Sequence, residues 1–300
     1  MWRPCALGAV GWALGAAVGC DRGWQTVDRA CPAVSDFGYA DPSLASVEAF
    51  TRAACYRSLL GLNYAGLDVQ VEAAAQAHAE YMSYAGALSH SETDASNPYY
   101  SGESAAERVA AAGYVDARLV AEVLVTTPST STAVDVWMNS VYHRIPFTMP
   151  EWLAVGVGQA DEYVAMTVVA RVPPESDLAV IYPVDGQSGV PTTFYSDNEE
   201  PDPAPDADAV GSPVTVTVNA RETHANSGNV YDLQLRSASF TGPDGDVPFL
   251  SLEPATDPTM FNTVALLPEA PLERRTEYTA TFDISWTGGQ ETLSSTFKTE

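Results

Sequence analysis

The chain is poor in basic residues, and Lys298 is its single lysine. Its 300 residues contain 14 Lys and Arg against 39 Asp and Glu, which gives a formal net charge of -25 at pH 7. A charge of this sign and size repels the phosphate backbone of nucleic acids and the anionic surface of membranes. We therefore expect no nucleic-acid partner, and attachment to a membrane only through a lipid.

Long apolar runs and the common catalytic and zinc-binding motifs are also missing. The apolar stretch near the N-terminus, residues 6–18, is too short to be a stable membrane span. The sequence contains no CxxC pair, no HExxH helix and no GxSxG nucleophile turn. Any metal site or acid/base site must therefore combine residues that are distant in the sequence.

The N-terminus is predicted to be an export signal that covers residues 1–20. Arg3 supplies the positive charge, an apolar core follows, and small residues precede Cys20. Ala17-Val18-Gly19-Cys20 resembles a bacterial lipobox, in which Cys20 becomes the first mature residue and carries a lipid anchor. Because Ala17 stands where leucine is commoner, ordinary cleavage with free secretion remains the alternative. We expect a membrane-anchored lipoprotein of the bacterial cell envelope, or a secreted protein if Cys20 is not acylated.

The few cysteines are consistent with export. If Cys5 is lost with the signal and Cys20 is acylated, Cys31 and Cys55 remain as the candidate disulfide pair. Such a bond would stabilise the fold by about 3 kcal/mol and would hold the N-terminal extension, residues 21–43, on the first helix. The alternative is two buried free thiols.

The chain length predicts two domains, because single hydrophobic cores usually stop growing at about 250 to 300 residues. The first predicted domain covers residues 44–172. Apolar spacing and a capping box predict four helices, over residues 44–60, 69–88, 104–112 and 132–142. Valine-rich segments predict a short strand or turn and a hairpin, over residues 119–125 and 153–172. Helices packed around a small sheet predict an α+β fold, an αβα sandwich.

The second predicted domain covers residues 178–300, after a linker at residues 173–177. Short alternating segments separated by Gly, Pro and Asp predict an all-β sandwich, with strands over residues 179–182, 214–218, 233–240, 263–267, 278–284 and 293–297. The last of these strands resemble bacterial Ig-like repeats. The acidic segment 197–208 is predicted to be a solvated loop, with calcium binding as the alternative.

The first domain contains an ordered series of short motifs. These motifs are Leu62-Asn63, Gly66-Leu67, Ala74, His78-Ala79, Met82, Ser89-His90, Ala112-Gly113-Tyr114, Ala121-Glu122, Trp137-Met138-Asn139-Ser140, His143-Arg144 and Gly156-Val157-Gly158. In this order they resemble the bacterial branch of the CAP superfamily, also called the SCP domain family, and the resemblance covers residues 44–172. The resemblance implies an αβα sandwich with a cleft lined by two histidines and one or two glutamates.

Carried over position by position, the resemblance places His90, Glu122 and His143 in this cleft. Many members have a glutamate just before the second histidine, and Val141 stands at that position here. Tyr99 and Tyr100 lie in the loop after His90 and are expected at the rim, where a ligand could stack.

The trio suits several kinds of chemistry. His90, His143 and Glu122 form a ligand set that zinc or another divalent cation would accept, and the same trio could perform acid/base catalysis. Because no acid precedes the second histidine and no nucleophile is visible, we favour binding of a cell-envelope lipid, glycan or protein. The alternative is a metal-dependent or acid/base hydrolase of a peptide or an envelope polymer.

Three neighbouring side chains are given simpler interpretations. His78 lies among alanines and is predicted to be a packing residue inside the second helix. Glu92 is predicted to lie in a solvated loop. Arg144 is predicted to pair with a carboxylate.

Overall fold

The computed structural model describes residues 23–149, 151–171, 178–219 and 232–300. The predicted export signal with Cys20, and the predicted linker at residues 173–177, lie outside the described residues. Two regions follow one another along the chain. The helical region covers the described residues between 23 and 171, and the strand-rich region covers the described residues between 178 and 300.

The helical region contains four longer helices and two single turns. Ser43, Asp68 and Ser104 cap helix N-termini with their side chains, and the predicted capping box between Ser104 and Glu107 is present. The helix predicted over residues 69–88 ends at Ala85, because Gly86 adopts a left-handed φ of 67°. The helices are α1 Val27–Ala30, α2 Leu44–Leu59, α3 Val69–Ala85, α4 Ala105–Ala111, α5 Thr130–Met138 and α6 Ile145–Thr148.

A three-stranded antiparallel sheet lies between these helices. Its strands are β1 Leu119–Thr126, β2 Glu151–Ala160 and β3 Tyr163–Arg171, in the order β1-β3-β2. On one face, Val155 packs with Phe50 of α2 and Trp137 of α5. On the other face, Ala154 packs with residues of α3 and α4. Helices therefore cover both faces, as expected for three αβα layers.

Two glycines let α3 approach the sheet closely. A Cβ atom at Gly156 would lie 2.2 Å from the backbone of Val71, and one at Gly158 would lie 2.2 Å from the backbone of Ala75. No side chain fits in either position. The Gly-Val-Gly segment of β2 is therefore a packing element.

The disulfide between Cys31 and Cys55 is present, which confirms the predicted pairing. Cys55 lies in α2, and Cys31 directly follows α1. The bond joins the N-terminal extension to the first long helix.

The strand-rich region consists of two sheets that share an apolar core. Val216 of one sheet and Phe240, Phe282 and Phe297 of the other are fully buried in that core. The sheets have the orders β4-β6-β10-β9 and β5-β12-β11-β7-β8. The strands are β4 Leu178–Tyr182, β5 Ser188–Val190, β6 Val214–Asn219, β7 Gln234–Gly242, β8 Gly245–Asp246, β9 Phe249–Leu252, β10 Thr263–Pro268, β11 Glu277–Trp286 and β12 Gly289–Thr299. All six predicted strands are found, although their ends differ by a few residues.

The turn between α5 and α6 packs directly against the strand-rich region. Val141 is buried among apolar residues of that region, including Phe194 and Met260. The Tyr142 hydroxyl lies 2.6 Å from a carboxylate oxygen of Asp257, and the Thr148 hydroxyl lies 2.8 Å from that of Thr217. The two regions therefore share both apolar and polar contacts.

Candidate functional site

His90 and Glu122 form a hydrogen-bonded pair at the surface of the helical region. His90 follows α3 in a loop, Glu122 lies in β1, and His90 Nδ1 is 3.0 Å from Glu122 Oε1. The His90 side chain is 58% exposed, whereas that of Glu122 is almost fully buried. The structure thus brings together two of the three residues predicted for the cleft.

Arg108 of α4 holds Glu122 in place. Its Nη2 atom donates to both carboxylate oxygens, at 2.9 and 2.7 Å, and also to the carbonyl oxygen of His90 at 3.2 Å. Its Nη1 atom donates to the carbonyl oxygens of Gly102 and Glu103. The buried carboxylate therefore has a matched positive charge and a fixed orientation.

The protonation of Glu122 follows from these contacts. Burial alone raises the pKa of Glu122, but the hydrogen bond with His90 and the charges of His78 and Arg108 outweigh burial, so its pKa lies below the usual value. The carboxylate is ionised at neutral pH and accepts hydrogen bonds only. His90 Nδ1 therefore carries a proton, and its Nε2 atom is left for another partner.

A second histidine–glutamate pair lies beneath the first. His78 Nδ1 is 2.9 Å from Glu92 Oε1, and both side chains are fully buried. His78 Nε2 is 3.7 Å from Glu122 Oε1 and has no hydrogen-bond partner among the described residues. The prediction that Glu92 is solvated is wrong, because the backbone N–H groups of Ser101 and Gly102 donate to its carboxylate from the same loop. We call His78, His90, Glu92, Arg108 and Glu122 the His90 site.

The His90 site alternates acidic and basic groups from the interior to the surface. In order outward, these groups are Glu92, His78, Glu122 and His90, and Arg108 contacts both glutamates. Each buried charge has an opposite charge or a hydrogen-bond donor beside it, as a low-dielectric interior requires. The arrangement presents one oriented imidazole edge to solvent.

Exposed aromatic side chains are found in the segments that flank His90. Tyr99 and Tyr100 are each 41% exposed, and the rings of Tyr84 and Tyr99 meet edge to face with centroids 6.3 Å apart. Leu88 is also exposed. Exposed aromatic rings of this kind can stack against a ligand.

His143 contacts a different carboxylate from His90. The prediction that a helix runs to residue 142 is wrong, because α5 ends at Met138 and His143 lies in the turn before α6. His143 Nδ1 is 2.8 Å from Glu199 Oε1, and the His143 side chain is 21% exposed. The structure therefore pairs His143 with the strand-rich region and His90 with β1.

Glu199 is bound by four donors. Its carboxylate accepts from the backbone N–H groups of Val141, Tyr142 and His143, each at 2.8 Å, in addition to its contact with the imidazole. Burial raises the pKa of Glu199, but its contacts with His143 and the backbone outweigh burial, so its pKa lies below the usual value. Glu199 is buried, so the prediction of a fully solvated acidic segment is wrong at this residue.

Among the described residues, no carboxylate forms the predicted pair with Arg144. It is buried, and it donates to the carbonyl oxygens of Met138 and Pro213 and to the hydroxyl of Thr215. Burial lowers its pKa from 12.5 to about 10. Backbone carbonyls of both regions take the place of the expected carboxylate.

The side chains do not fit the zinc set suggested by the sequence. In the described ranges, no group of three His, Cys, Asp or Glu residues is arranged to hold a metal ion. Both oxygens of Glu122 are already bound by the Arg108 guanidinium, which would repel a cation. His143 is bound to Glu199.

Comparison with protein families identifies residues 53–163 with CAP, the cysteine-rich secretory protein family. This segment, rather more than a third of the chain, is similar to a CAP domain. It contains the whole His90 site and the turn that carries His143. A comparison with curated proteins found no match.

Two solved bacterial structures are similar to part of this chain. One is an extracellular protein containing an SCP domain from Bacillus anthracis str. Ames, with 22% identity and a TM-score of 0.37 over 42% of this chain and 40% of that protein. The other is an outer surface protein from Borrelia burgdorferi, with 19% identity and a TM-score of 0.34 over 41% of this chain and 90% of that protein. The chain thus matches less than half of the Bacillus protein. Among the described residues, no helix is long and apolar enough to cross a membrane.

Sequence reasoning found His90 and Glu122 but missed the groups that hold them. Arg108 and Glu92 gave no signal beyond their charge, because their contacts depend on how α4 and the loop after His90 fold back onto β1. Glu199 was considered only as part of an acidic run. Its distance from His143 in sequence, 56 residues, concealed the pairing.

Proposed function

We propose that this chain is an exported cell-envelope protein whose CAP domain binds a lipid, glycan or protein ligand at the His90 site. The observation that supports this proposal best is the exposed His90 imidazole, oriented by a buried and fully paired carboxylate. The Nε2 atom of His90 can exchange a hydrogen bond with a ligand without a change in the buried charges. The exposed tyrosines add surface for stacking.

A neutral or cationic ligand suits this site better than an anionic one. The net charge of -25 repels anions at long range, and exposed histidine and tyrosine edges recognise hydroxyl and amide groups by hydrogen bonding.

The test is capture of envelope components by the purified mature protein. We expect His90→Ala and Tyr100→Ala to lose a ligand that the unchanged protein retains. Tyr195→Ala is the matched control, because Tyr195 is 57% exposed but lies in the strand-rich region. Equal capture by all four proteins would contradict the proposal.

A hydrolase is the second candidate, and one contact favours it. An imidazole that donates from Nδ1 to a carboxylate resembles the histidine–carboxylate pairs that act as general bases through Nε2. The reaction would require a water or a substrate hydroxyl at Nε2. Turnover of peptide or envelope polymer that disappears in His90→Ala would select this candidate, and turnover unchanged in that variant would reject it.

We also propose that Cys20 carries the lipid anchor and that the two sheets form an Ig-like sandwich. The lipobox-like residues 17–20 and the shared core of the two sheets support these proposals. Cys20→Ser should release the protein from the membrane fraction, and mass spectrometry should find an acylated N-terminus only in the unchanged protein. An unmodified N-terminus at Cys20 or elsewhere would reject the anchor.

A further inference from the structure

The turn formed by Val141, Tyr142 and His143 directs several donors at one point. Three consecutive backbone N–H groups and the imidazole Nδ1 atom lie 2.8 Å from the carboxylate oxygens of Glu199. Consecutive N–H groups that converge in this way form a concavity for anions. The four donors match the acceptor capacity of a single carboxylate.

The carboxylate in this position comes from the other region of the chain. Glu199 follows a short 3-10 helix, Ser196–Asn198, whose flanking residues Phe194 and Ala204 pack against Val141. The Tyr142 hydroxyl contacts a further acid of the strand-rich region, Asp257. The apolar contacts hold the segment in place, while the donors of the turn contact Glu199.

Glu199 also determines whether these donors are accessible. Glu199 is buried, as are Val141 above it and Ser196 in the adjoining segment. With Glu199 in place, the backbone donors are satisfied and no external anion reaches them. Without it, one buried and two partly buried N–H groups would lack an acceptor, which favours binding of a replacement.

We infer that the turn at residues 141–143 is a carboxylate-binding site, that Glu199 fills it as a built-in ligand, and that an external carboxylate enters only when residue 199 withdraws. The site is separate from the His90 site. It is formed within the CAP domain and closed by the strand-rich region.

The test is rescue of Glu199→Ala by a small carboxylate. We expect the unfolding midpoint of this variant to fall below that of the unchanged protein. Acetate, added at constant ionic strength, should raise the unfolding midpoint of this variant. Above the dissociation constant, the stabilisation should grow with the logarithm of the acetate concentration. Chloride at the same ionic strength should not raise the midpoint. Acetate should have no comparable effect on the unchanged protein, whose site is filled.

Asp257→Ala is the matched control, because it also removes a carboxylate at the contact between the regions. Asp257 accepts from a single tyrosine hydroxyl on this side, so its removal leaves no comparable set of donors. Acetate should stabilise this variant no more than the unchanged protein. An acetate effect that is equal in Glu199→Ala and Asp257→Ala would overturn the inference.

A Glu199→Ala chain that does not fold in chloride still gives a result. It would be diluted from denaturant into acetate or into chloride, and the yield of folded protein would be compared. A higher yield in acetate supports the carboxylate site, and equal yields reject it.

Discussion

His90 and His143 make nearly the same contact in two different settings. Each imidazole uses Nδ1 to contact a buried glutamate, at 3.0 Å for His90 and 2.8 Å for His143. The His90 pair lies within the segment that matches the CAP family and leaves its imidazole 58% exposed, whereas the His143 pair joins two regions and leaves its imidazole 21% exposed. The same histidine–glutamate contact can therefore present a histidine to a ligand or join one part of a chain to another, depending on what covers it.

The largest expected effect is the removal of the positive charge beneath His90. Arg108→Met should lower the free energy of unfolding by about 3–5 kcal/mol, because it leaves the buried Glu122 and Glu92 without their guanidinium partner. Chemical denaturation measures the change. Arg171→Met is the control, because Arg171 pairs with Glu151 at an exposed position where solvent screens the two charges. Similar losses in both variants would show that the buried charges matter less than their contacts suggest.

The second expected effect concerns the contact between the regions. Glu199→Ala should lower the free energy of unfolding by about 1–3 kcal/mol, because one buried and two partly buried N–H groups lose their acceptor. Hydrogen exchange should then accelerate at the amides of residues 141–143 before it accelerates in β2 and β3. Unchanged exchange at these amides would mean that the packing around Val141, and not the carboxylate, closes the turn.

Acid should weaken both the His90–Glu122 pair and the His143–Glu199 pair. The pKa values of Glu122 and Glu199 in the folded protein lie below the ordinary 4.5, so each glutamate stabilises the fold above pH 4.5. This stabilisation is lost as pH falls below 4.5 through the folded-state values. His143, Tyr142 and Arg144 are the titratable groups that interact with Glu199. Glu199→Gln should show a shallower loss of stability below pH 4.5 in thermal unfolding, and an identical acid profile would contradict this assignment.

The smallest expected effect on stability is at the exposed histidine. His90→Ala should change the free energy of unfolding by less than about 0.5 kcal/mol, because Arg108 still pairs with Glu122. Its effect should appear in ligand capture alone. A loss of stability comparable to that of Glu199→Ala would show that His90 also serves the fold, and would remove the contrast between the two histidines.

The sequence predicted most elements whose signals are local. Apolar spacing and a capping box marked the helices, alternating residues marked the strands, and the cysteines gave the disulfide. The end of α5 was misplaced because apolar spacing continues past Met138, while Asn139 and the Ser140 hydroxyl bind the last carbonyls of the helix instead.

The candidate site was predicted less completely, because its oppositely charged partners lie far apart in the sequence. Family resemblance located His90, Glu122 and His143, but it could not assign each histidine to its carboxylate. Glu199 and Arg108 become significant only after folding places them against residues that no local pattern connects to them. The sequence of an acidic run or of a lone arginine does not show whether its charge is solvated by water or paired with a buried partner.

The two glycines of β2 allow α3, and with it the buried His78, to lie close to the sheet. Gly156 and Gly158 carry no polar side chain, but their bare backbone lets α3 rest on the sheet, and α3 carries His78. A methyl group at either position would push the helix outward and would lengthen the path between Glu92 and Glu122. The absence of two side chains on β2 thus helps to position a buried histidine of a site that ends at the protein surface.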